Sequence, residues 1–82
     1  MTLELYSEVA LTQNIAEHNL KIGDVATLVD FVPHPQGGEE GCVLEIFNAV
    51  GESIDVVTVP ISAIKSLSAN EILTIRPLKQ AG

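Results

Sequence analysis

The residues of this chain that could do chemistry are few and poorly spaced. His18, His34, Glu39, Glu40 and Cys42 are the candidates for a metal site or an activated nucleophile, since imidazole, carboxylate and thiolate are the usual ligands and bases. The segment "HPQGGEEGC" nevertheless contains no C-x-x-C or H-x-x-x-H pair. Cys42 shares an alternating face with Leu44 and Ile46, which predicts a buried structural thiol, and His18 reads as a solvated loop residue. Asp24, Asp30, Glu45 and Asp55 could form an acid/base set, but each falls at a strand start or at an outward position, as solvated carboxylates do. Gly37, Gly38 and Gly41 precede neither a Lys nor a helix, so they do not make a phosphate loop. No catalytic residue, metal or cofactor is expected, and the protein is not expected to be an enzyme.

The elements that would position these residues read as strands. The stretch "LKIGDVATLVDF" has Gly23 free to take a positive φ and Asp24 able to accept turn amides, which together start a strand. From Val25 to Val32 the period is two, with Val25, Thr27, Val29 and Phe31 on one face and Ala26, Leu28, Asp30 and Val32 on the other. Val25, Val29 and Phe31 are expected in the core together with Leu44 and Ile46. An earlier strand is expected over "YSEVAL", then a loop with one helical turn in "TQNIAEHN". The loop at 33–41 is polar and flexible, and "CVLEIF" follows it as a strand. Asn48 to Gly51 has the residue order of a type I turn with Gly51 at positive φ, closing a hairpin into "SIDVVTV", whose two apolar faces leave its register open. Ile61, Ile64 and Leu67 recur at helical spacing, and "EILTIRPL" is expected as the last strand. The prediction is an all-β domain over residues 1–82, a small five-stranded barrel with one short helical turn and a tail at 78–82.

Composition narrows the function. Eleven carboxylates against four Lys and Arg give a formal charge of −7, which repels polyanions and argues against nucleic acid, so a translation-type nucleic-acid binder is the remotest reading. The single Cys42, a start without a basic and apolar leader, and no apolar run of membrane length predict a cytoplasmic protein with no membrane contact. Leu, Ile, Val and Phe supply 28 of 82 residues, more than the roughly 15–20 large side chains that so small a barrel can enclose. The surplus must lie outside. Leu28, Val32, Val43 and Phe47, with Val57 beside them, fall on the outer face among Asp30, Glu45 and Asp55. An apolar patch rimmed by acids suits a protein partner with Lys or Arg around an apolar centre, or a second copy of the chain. The competing reading is that the 61–67 turn or the N-terminal "TLEL" covers the patch.

The run "LYSEVALTQNIAEHNLKIGDVATLVDF", then "LEIFNAVGE" and "VVTVP", resembles a family of short bacterial proteins of unknown function, from about Leu5 to Pro77. Its recurrent features are an opening D/E-V-x-L strand, an L-x-x-G-D-x-G-T-V-V segment, a V-E-F strand before a D-x-x-G turn and a closing V-T-L/V-P. Ala26 stands where that pattern has Gly, and Ile46 where it has Phe. The resemblance implies an SH3-like barrel, similar in shape to those of nitrile hydratase subunits and translation proteins. It also implies an uncharacterised small protein encoded alongside, as toxin and antitoxin pairs are. Two functions follow as expectations: an acidic antitoxin- or immunity-type neutralising partner, and an accessory barrel associated with an enzyme.

Overall fold

The computed structural model describes residues 3–78. Five strands, β1 (Glu8–Leu11), β2 (Val25–Val32), β3 (Gly41–Phe47), β4 (Ser53–Pro60) and β5 (Ile64–Ser66), form one antiparallel sheet in the order β4-β3-β2-β1-β5. Single 3-10 turns occupy Ala16–His18 and Ile61–Ala63, and the described residues contain no α-helix. The domain is all-β, as its alternation predicts. Apart from Leu78, the tail expected at 78–82 lies outside the described residues, as does Thr2 of the N-terminal arm.

Turn chemistry sets the strand ends. Gly23 adopts φ +89°, and the Asp24 carboxylate accepts the Lys21 N–H at 2.8 Å, so the chain is turned and capped just before β2. Asn48 and Gly51 behave as the turn motif predicts. The Gly51 N–H donates to the Asn48 carbonyl at 3.1 Å with φ +86°, and the Asn48 side chain accepts the N–H groups of Val50 and Glu52.

The faces of β2 differ from the period-two expectation. Ala26 and Leu28 point into the core, and Leu28 is 0% exposed, while Val25 and Val29 stay outside the core cluster. The cause is a bulge. Leu28 pairs with Leu44 and Asp30 with Val43, so Val29 is an extra residue with no partner and the inward parity changes from even to odd. Phe31 therefore packs against the core although its parity differs from that of Leu28. Ala26 has no positive φ, so the Gly of the family pattern is not needed there.

On β3 the expected inner set of Cys42, Leu44 and Ile46 is buried. Val57 and Val59 of β4 join it, so Val57 does not belong to the outer face. One face of one sheet carries nearly the whole core, and among the described residues no second layer of sheet or helix covers it. Such a sheet can exclude water only by curling around its apolar side, closed here by Ile15, Leu20, Ile61 and Ala63 from the connections.

The last strand is also displaced. β5 lies at Ile64–Ser66, inside the stretch whose spacing predicts helical turns, because Ile64 to Ser66 pair with Leu11 to Val9 and Ile64 enters the core. Pairing overrides the local spacing. Residues 71–78, expected as the final strand, belong to no ladder of the described chain. The first strand starts at Glu8 rather than Tyr6, which has φ +66°.

Candidate interaction face

The outer face of β2, β3 and β4 is assembled by register. Directly opposed residues share a face, so Asp30–Val43–Thr58 and Thr27–Glu45–Val56 form two rows across the three strands, with Val32–Gly41–Pro60 beyond the first. Phe47 continues the face opposite Ser53, and Ile54 is the extra residue of a second bulge beside it. Phe47 is 41% and Val56 57% exposed, and Val32 and Ile54 are exposed as well. Past Val32 the face runs into an open depression of about 330 Å³ lined by Pro33, His34, Pro35, Thr58 and Pro60 among others.

Four of the six residues expected at a partner surface are brought together here: Asp30, Val43, Glu45 and Phe47. Two are not. Leu28 is sealed in the core by the parity change at Val29. Asp55 pairs with the inward Ile46 and so lies on the opposite side of β4, where its Oδ2 is 3.8 Å from His18 Nδ1. The pattern missed Val56 and Ile54, because β4 is apolar on both faces and its bulge breaks any register counted out from the Asn48–Gly51 turn.

Each acid of the supposed acid/base set has its own local partner. Asp30 accepts the Phe31 N–H at 2.8 Å, Glu45 accepts the Ser53 hydroxyl at 2.6 Å, and Asp55 accepts the Val56 N–H at 2.8 Å. Glu39 accepts the Ser62 N–H at 2.6 Å, and hydrogen bonding from the Ser62 side chain, with this backbone bond, holds its carboxyl below the usual value. The Glu40 carbonyl accepts the Ile61 N–H at 2.9 Å, so the second half of the 33–41 loop is tied to the turn before β5. His34 Nδ1 accepts the Gln36 N–H at 3.1 Å. Among the described residues no three His, Cys, Asp or Glu side chains are grouped so as to hold a metal ion.

Asp24 has the strongest partner. Arg76 Nε and Nη2 reach its two carboxylate oxygens at 2.8 and 2.5 Å, and Nη2 also donates to the Asn19 carbonyl at 3.0 Å. Partial burial pushes the Asp24 carboxyl up, but the bonds from Arg76 and Lys21 and their charges outweigh it, leaving it below the ordinary 3.8. A depressed folded value stabilises the attachment fully above the ordinary value, and this is lost as pH falls through the lower, folded one. Acidification below 3.8 and on through the lower folded value should therefore free the tail around Arg76. Asp24→Asn should free it at neutral pH at a cost of about 1 kcal/mol, since a forked but partly solvated ion pair is worth little more. Limited proteolysis by thermolysin, which cuts before aliphatic residues, at Ile72–Ile75 checks this, and equal cleavage of both proteins at pH 7 would contradict it.

The sheet and its face define a small all-β domain with an apolar, carboxylate-bearing outer surface. Residues 5–66 match the family model described as a domain of unknown function, DUF4926, and the chain belongs to that family. The match ends at Ser66, the last residue of β5. No curated protein and no solved structure matches the chain. No helix of the described residues is long and apolar enough to cross a membrane.

Proposed function

We propose that the protein is a non-enzymatic interaction module that docks a basic protein partner on the outer face of β2, β3 and β4. The observation that carries this reading is the run of exposed Val32, Phe47, Ile54 and Val56 around half-buried Val43, with Asp30 and Glu45 in the same rows. The formal charge of −7 supports its most concrete form, an antitoxin- or immunity-type protein that masks a basic surface in the cytoplasm by electrostatic complementarity. A second reading, an accessory barrel attached to an enzyme, is favoured by the order β4-β3-β2-β1-β5 with a 3-10 turn before β5, which suits an SH3-like barrel.

Binding kinetics against the protein that copurifies from the host test the face. Phe47→Ala should mostly speed dissociation and cost about 1–3 kcal/mol, as a central aromatic anchor does. Asp30→Lys should slow association, with a penalty that shrinks as salt rises. Asp55→Asn, on the other side of β4, should change little. If neither face variant alters binding while a change in the 33–41 loop does, the loop is the site. A basic small protein as the captured species supports neutralisation, and a large enzyme supports the accessory reading.

A further inference from the structure

The segment between Glu71 and Arg76 is pinned at both ends and bare in the middle. Glu71 takes the Ser68 N–H at 2.6 Å on one oxygen and the Lys65 ammonium on the other, while Arg76 is forked onto Asp24. Between the pins Ile72 is 88% and Ile75 93% exposed, and Leu73 is exposed too. Among the described residues no backbone-to-backbone hydrogen bond reaches Ile72 to Leu78. Isolated exposed aliphatics are ordinary, but three in four consecutive residues, held out by ion pairs on either side, form a presented apolar surface.

The same molecule carries the complementary surface. All eleven carboxylates lie at or before Glu71, so the residues after it contain Arg76 and Lys79 and no acid. The outer face of β3 and β4 is apolar at Phe47, Ile54 and Val56 and acidic at Glu45. Face against face, two copies would set carboxylates of the same sign together; segment against face, they meet without that repulsion. We propose that the Ile72–Ile75 segment of one copy docks on Phe47, Ile54 and Val56 of a second copy, with the contact repeated about a twofold axis. Repetition is needed because one four-residue contact is far short of the roughly 1,200 Å² that a specific interface buries. The pins contribute by holding the segment in its bound shape before contact, which removes ordering cost. This inference rests on the same face as the proposed function and names a second copy as one occupant.

Sedimentation of the full chain from about 1 µM to about 1 mM tests it, and a monomer–dimer equilibrium is expected within that range. Ile72→Glu with Ile75→Glu should raise the dissociation constant at least about tenfold, and so should Val56→Glu alone. Mixing those two proteins should leave association weaker than in the wild type, because a mixed pair keeps only one of the two intact contacts. A wild-type chain that stays monomeric throughout, a dimer indifferent to the segment variant, or a mixture that associates as tightly as the wild type would each overturn the proposal. Ile72→Ser with Ile75→Ser repeats the test should the glutamate variant fail to fold, as monitored by circular dichroism. The assay contains no basic partner, and the segment variants keep the face intact. Partner capture by those variants therefore reads the functional proposal separately.

Discussion

Leu28→Ala should lower the unfolding free energy by about 3 kcal/mol, while Val29→Ala should cost less than about 1 kcal/mol. The two side chains are neighbours in sequence and similar in size, so local propensity cannot separate them. The bulge does. Leu28 is 0% exposed against Leu44, whereas Val29 is the unpaired extra residue outside the core cluster. Truncating Leu28 removes apolar burial and leaves a void that the surrounding strands fill only in part. A domain of this size has a stability of roughly 5 kcal/mol, so the variant should sit close to its unfolding threshold. Urea titration of both variants checks the prediction. The reverse order of costs would mean that β2 follows an unbroken period of two.

The Cys42 thiol should be alkylated at least about a thousandfold more slowly in the folded protein than in urea. Cys42 is a free, fully buried cysteine on the inner face of β3, and burial, with Glu40 and Glu39 nearby, pushes its thiol above the ordinary range. The thiolate is thus both disfavoured and out of reach, and reaction requires the sheet to open. The labelling rate then reports the open population, so Leu28→Ala should accelerate it by roughly a hundredfold, matching its loss of stability. Rapid labelling of the folded wild-type protein would show that Cys42 is not sealed by the core, and would return it to consideration as a reactive site.

Much of the sheet is legible in the sequence because several local signals agree at the same residues. Asn48 and Gly51 mark one turn, Gly23 and Asp24 another, and β2, β3 and β4 begin and end within a residue of where alternation and turn residues put them. Side-chain direction was legible on β3, where Glu45 interrupts the apolar residues, and not on β2 or β4. On those strands the bulges at Val29 and Ile54 change parity among residues that are aliphatic on both sides. That is why Leu28 and Asp55 were expected on a face that holds neither. The three residues of β5 are too few to show a period, and they are strand only because β1 offers them a partner. The stretch "EILTIRPL" shows the opposite case, a strong strand composition without a ladder in the described chain.

The pairing of β1 with β5 has a consequence for how the chain comes into being. β2 with β3 and β3 with β4 join sequence neighbours, whereas Val9 meets Ser66 across most of the domain. During synthesis from the N-terminus, β1 exists with one side bare until Ile64 to Ser66 have emerged, and the turn at Asp24 waits longer still for Arg76. Closing so large a loop delays the rate-limiting step, and every intermediate before it exposes β1 as an open edge beside the apolar face. Nascent chains stalled before Ile64 should accordingly be the form most in need of a chaperone.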